Sequence, residues 1–198
     1  TYVASNQYGD YEHYKIFDEI DISPYLTKED NEIKFTVWHF GLGTMRYIEA
    51  RAGLIFEILQ GDRVVAKSGK HILCRKSLTY KSGYEKTISP QLGFSFLYDA
   101  TKENEKGGFS SAVEVCKNCP FHPRPNKKLV VKERCHSAVL KNEGNYYLID
   151  LGKETVGLPV LDFYSPTEQK VRVDFGEDLQ DGHVRRIIEN RDFSFDYI

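Results

Sequence analysis

The chain has 198 residues, enough for one large or two small domains with a real core. Hydrophobic residues make up 40% and aromatic ones 13%, which excludes a disordered chain. The 27 basic and 29 acidic residues are well mixed at a net charge of −2, so no basic stripe points to nucleic acid and no acidic tail to a basic partner.

Thirteen Tyr, twelve Phe and one Met suit a β-rich chain better than a helical one. No apolar run reaches the roughly 18 residues of a membrane-spanning helix, so no membrane span is expected. The chain opens at Thr1 on polar TYVASNQYGD, with no secretory signal and no initiator Met, and is expected to be processed or trimmed.

Residues 1–13 read as an edge strand or a lead-in loop, and 14–20 as a first strand. In DISPYL, Asp21 and Ser23 can accept hydrogen bonds from amides of a tight turn whose φ Pro24 pre-sets. Tyr25 and Leu26 are then expected to drop into the core. Glu29-Asp30-Asn31 predicts a second turn, after which Ile33, Phe35 and Val37 alternate as on a strand. Residues 41–53 form a glycine-spaced loop holding Arg46, Tyr47 and Arg51. Residues 54–59 predict a strand turned by Gln60-Gly61-Asp62 into another at 63–66. Further strands are expected at 71–74, 92–98 and 111–115, with a solvated loop over 99–108.

Three prolines between Pro120 and Pro125 argue against a central strand and for a stiff linker. A first domain is therefore placed at 1–125 and a second at 126–198, beginning with a strand over 129–131. In the second, residues 158–163 alternate, Val171, Val173 and Phe175 share one face, and Asp181-Gly182 fits a two-residue hairpin turn. Phe193, Phe195 and Tyr197 alternate at the end, so the second domain is expected to be truncated. Periodicity alone gives an all-β, antiparallel class.

The run D-L-G-K-E-T-V-G, followed by V-R-V-D-F-G-E-D-L-Q-D-G, resembles the bacterial α-L-rhamnosidases, a glycoside hydrolase family. The ordered positions Asp150, Gly152, Glu154, Gly157, Gly176, Glu177, Asp181 and Gly182 carry the match. Independently, D-I-S-P-Y-L followed by N-E-I-K-F resembles the galactose-binding-like jelly rolls that open many glycosidases. The resemblance implies a jelly-roll β-sandwich over 1–125 and the first strands of a second sandwich over 126–198. It further implies a parent that inverts at the anomeric carbon on a missing α/α barrel. This chain would then be a non-catalytic N-terminal piece whose partners are the rest of its own polypeptide and rhamnose-containing oligosaccharide. Its localisation would be periplasmic or secreted. A free-standing carbohydrate-binding module, a structural or interaction domain, and a piece of a β-galactosidase relative remain the alternatives.

Trp38, His39, Arg46 and Tyr47 are the carbohydrate-binding candidates, because sugars stack on aromatic faces and hydrogen-bond to charged side chains. The competing reading is that Trp38 simply continues a packed strand. Glu154, Glu177 and Asp178 resemble the paired carboxylates of glycoside hydrolysis only on paper. With 29 acidic residues such neighbours arise by chance, and Glu177 is assigned a turn role; no catalytic residue is assigned. Cys116-x-x-Cys119-x-x-His122 has zinc-like spacing, but Cys135-His136 is a poor second half, since adjacent strand residues face opposite ways. Zinc, a disulfide among these cysteines and reduced thiols all stay open, and no metal or cofactor is assigned.

Overall fold

The computed structural model describes residues 14–45, 47–84, 86–115, 120–125, 127, 130, 132–136 and 139–198. Over these the chain is all-β. Helix is confined to single 3-10 turns at Ser23–Tyr25 and Ala100–Lys102. No helix among the described residues is long and apolar enough to cross a membrane.

The strands are short. In chain order they are β1 (Lys15–Phe17), β2 (Glu57–Gln60), β3 (Arg63–Lys67), β4 (Leu73–Cys74), β5 (Thr87–Ser89), β6 (Gly93–Phe94), β7 (Leu97–Tyr98), β8 (Ser110–Ser111) and β9 (Phe121–Pro123). They continue with β10 (Val139–Asn142), β11 (Tyr147–Asp150), β12 (Val171–Asp174), β13 (Leu179–Gln180), β14 (His183–Val184), β15 (Ile187–Ile188), β16 (Arg191–Asp192) and β17 (Ser194–Tyr197). Contacts divide the chain into two units interleaved in sequence: Thr1–Ser77 with Lys106–Leu129, and Leu78–Glu105 with Val130–Ile198.

In the first unit, β2 and β3 form the expected hairpin, with Gly61 at φ 58° in its turn. β4 pairs antiparallel with β8. β1 runs parallel to β9, so the proline stretch read as a linker holds a strand. Pro123 is tolerated because β9 is an edge strand and need not donate on its open side. Just beyond it, Arg124 grips Asp18 with two parallel bonds, Nε to Oδ1 at 2.7 Å and Nη2 to Oδ2 at 2.9 Å. Both side chains are more than nine-tenths buried.

The DISPYL turn forms as read: the Ser23 amide donates to Asp21 Oδ1 at 2.9 Å, and Pro24 sits at the start of the 3-10 turn. Hydrogen bonding from Ser23 holds the Asp21 carboxyl below its ordinary range. Asn31 closes the second turn, accepting from the Thr27 amide and donating to the Thr27 and Glu29 carbonyls. Two expectations fail here. Tyr25 and Leu26 are exposed rather than in a core, and residues 31–41 carry no strand despite their alternation. The expected strand at 129–131 lies mostly outside the described residues.

In the second unit, β12, β17 and β7 form the three-stranded sheet, with β17 in the middle. β12 is antiparallel to β17 and β7 is parallel to it. β5–β6, β10–β11, β13–β14 and β15–β16 are two-stranded. The strand expected over 92–98 breaks into β6 and β7, and 158–163 carry no strand. Pairing sorts β17 into two faces. Phe195 and Tyr197 lie beside Val173 and Val171, while Ser194 and Asp196 lie beside Asp174 and Arg172. The polar face is the buried one: Ser89, Ser95, Ser194 and Asp196 are buried, and Leu97 is the one buried hydrophobic residue among those described.

Candidate functional site

The loop after the Phe35–Val37 stretch gathers three of the four predicted sugar-contacting residues in the first unit. Gly41, at φ 76°, takes a left-handed conformation that a side chain would strain. The Thr44 amide then donates to the Tyr47 carbonyl at 3.0 Å, and the Tyr47 amide donates back to Thr44 Oγ1 at 3.1 Å. This reciprocal turn sets Tyr47 edge-on to Phe40, with ring centroids 5.4 Å apart, and edge-on to His39 at 6.4 Å. Trp38 meets Phe40 edge-on at 6.1 Å.

His39 is fixed by its Nε2–H, which donates to the Ala50 carbonyl at 2.7 Å. In the neutral ring that bond makes Nδ1 the acceptor. Trp38 is 50% exposed, so the residue is partly open to solvent. The cluster thus offers an aromatic surface with a histidine nitrogen beside it. Arg46, the fourth predicted residue, lies outside the described residues.

Five of the positions that carry the rhamnosidase resemblance, Asp150, Gly152, Gly176, Asp181 and Gly182, have local structural jobs. Asp150 Oδ1 accepts from the Gly152 amide at 2.7 Å, and Gly152 stands at φ 74°, so the D-x-G pattern is a side-chain-closed turn after β11. Gly176 is needed for space: a Cβ there would come within 3.1 Å of Val184 Cγ1 and 3.3 Å of the Arg185 carbonyl oxygen. Asp181 and Gly182, at φ 51° and 81°, form the two-residue turn of the β13–β14 hairpin. Tyr146 braces that turn, donating its hydroxyl to the Gly182 carbonyl at 3.3 Å and lying 4.3 Å from the His183 ring.

Glu154, Glu177 and Asp178 are exposed. An open hollow of about 410 Å³ beside β13 is lined by Asp178, Leu179, Gln180 and Arg185. It holds one carboxylate where glycoside hydrolysis uses two. Of the cysteine cluster, Cys116 and Cys119 lie outside the described residues. Cys74 and Cys135 are free and exposed, and His122 packs edge-on against Tyr14. No cluster of three or more His, Cys, Asp or Glu able to hold a metal exists among the described residues.

A second constellation escaped the sequence reading. On the buried face of β17, Lys86 Nζ donates to Ser194 Oγ and pairs with Asp192 Oδ2 at 3.2 Å. Ser194 Oγ donates onward to Asp192 Oδ1 at 2.8 Å, which also accepts from Arg186 Nη1 at 2.6 Å. Asp196 Oδ2 accepts from Tyr84 at 2.8 Å and pairs with Lys170 at 2.9 Å. Its Oδ1 makes no hydrogen bond and stands 3.7 Å from Arg172 Nε.

A serine beside a lysine suggests a nucleophile and its base. The geometry argues otherwise. The lysine is the donor in that pair, the serine proton points to a carboxylate, and Ser194 is 0% exposed. The cluster reads as an ion-pair network across the sheet. The signal for it was the spacing of Asp192, Ser194 and Asp196 between aromatic residues, which marks a polar face but not that it is covered.

Compared with known proteins, the chain matches no family model, no curated protein and no solved structure. The functional reading therefore rests on the residues themselves: an aromatic cluster around Trp38 that can contact a ring, and glycine and aspartate positions that build turns.

Proposed function

We propose that this chain is a non-catalytic, N-terminal β-rich region of an α-L-rhamnosidase-type glycoside hydrolase, with a jelly-roll first domain. In this reading it supports a catalytic barrel elsewhere in the polypeptide and contacts rhamnose-containing glycan at Trp38, His39 and Tyr47. One observation carries the reading. The run that resembles the family, from Val171 to Gly182, folds as strand β12, strand β13 and a hairpin turn, with Gly176 at a close approach and Asp181-Gly182 in the turn, which supports a structural role for it. The partial exposure of Trp38 favours one alternative, a free-standing carbohydrate-binding module, which shares the same site.

Two measurements test the proposal. The purified chain is expected to leave an aryl rhamnoside uncleaved; turnover abolished by a substitution at Glu154, Glu177 or Asp178 would overturn the non-catalytic reading. Titration with L-rhamnose and its oligosaccharides is expected to change the fluorescence of Trp38, the single tryptophan, in a saturable way. Trp38→Phe would remove the reporter, so the paired test is Tyr47→Ala. This variant should weaken binding by about 1 kcal/mol or more, the loss of one aromatic contact. A flat titration would remove the glycan contact from the reading.

A further inference from the structure

We draw no further inference here: the strongest candidate, the half-open aromatic face that Phe96 and Tyr98 form with Phe195 and Tyr197 along the β7–β17 pair of the second unit, uses its ring faces against one another, and nothing in the structure shows what covers it.

Discussion

Arg124 and Asp18 are the clearest example of a single pair holding two distant segments of one unit. Their side chains are 7% and 4% exposed, and the fork-to-fork geometry satisfies two donors and two acceptors at once. Removing one partner takes both fork bonds from a charge that stays buried, which costs far more than losing a surface ion pair. Arg124→Ala should therefore destabilise the first unit by about 3–5 kcal/mol in urea denaturation. The double variant with Asp18→Ala should recover part of that loss; two losses that simply add would mean the charges do not depend on each other.

The network on β17 makes a different prediction, in pH. Burial pushes the Asp192 carboxyl up, but hydrogen bonds from Arg186, Ser194 and Lys86 outweigh it and leave it below the usual range. Asp196 behaves alike: burial raises it, and Lys170 and Tyr84 pull it down further. A carboxylate lowered in the folded state stabilises above its unfolded value, about 4, and that contribution is lost as pH falls through the folded value. Asp174 opposes them, since burial raises it despite Arg186 and Arg172. Asp192→Asn should thus be less stable than the natural chain at neutral pH, with the gap closing as pH falls through the lowered folded value of the carboxyl. A gap independent of pH would show that the ionised form adds nothing. Tyr84, raised by burial and by its bond to Asp196, is pushed up to about 12, so its absorbance change should come only in strong alkali, above the ordinary tyrosine value of about 10.

Among the elements, the β2–β3 and β13–β14 hairpins were legible, while the other hairpins and several lone strands were not, and the reason is physical. A hairpin is specified locally: Gln60-Gly61-Asp62 and Asp181-Gly182 supply the positive φ that the turn needs, and the flanking residues then pair by proximity. A strand elsewhere is defined by a distant partner that periodicity cannot name. Ile33, Phe35 and Val37 alternate as well as Val171 and Val173 do, yet only the latter pair with a strand, β17. The β1–β9 pair was missed for the converse reason, because prolines exclude a central strand but allow an edge. The aromatic cluster at 38–47 was legible because one short loop holds it; the Lys86–Asp192–Ser194 network spans residues 86–194 and was not.

The turn chemistry is directly testable at Gly182. A Cβ there would meet only the Tyr146 hydroxyl, at an ordinary 3.7 Å, so space is no obstacle. The cost of Gly182→Ala is conformational, about 1–2 kcal/mol for a left-handed alanine. Asp181→Asn should be tolerated, since asparagine accepts the same φ. Amide exchange of the β13–β14 strands should accelerate in the alanine variant and stay near the natural rate in the asparagine one. Equal rates in both would mean that neighbouring contacts, rather than the turn, set the hairpin.

At the scale of the whole molecule, the all-β class was written in composition and alternation, but the distribution of burial was not. Alternation marks two faces of a strand without saying which is covered, and on β17 the covered face is the polar one. Phe35, Val65, Leu140 and Tyr164 are all at least 45% exposed, although the sequence would place such residues inside. Exposed apolar surface has a thermodynamic signature. Denaturant sensitivity scales with the surface newly uncovered on unfolding, and apolar side chains already in water add little to it. The urea m-value of the isolated chain should therefore fall toward the lower end of the roughly 1–3 kcal/mol/M range, below what its length would give a closed domain. The native chain should also bind an apolar dye such as ANS, which recognises uncovered hydrophobic surface. In the proposed reading, a longer polypeptide that includes the catalytic barrel should bind less dye per molecule than the isolated chain, because the barrel covers part of these strands. An isolated chain with a high m-value and no dye binding would mean that its apolar strands already cover one another, and it would remove the case for a supporting surface.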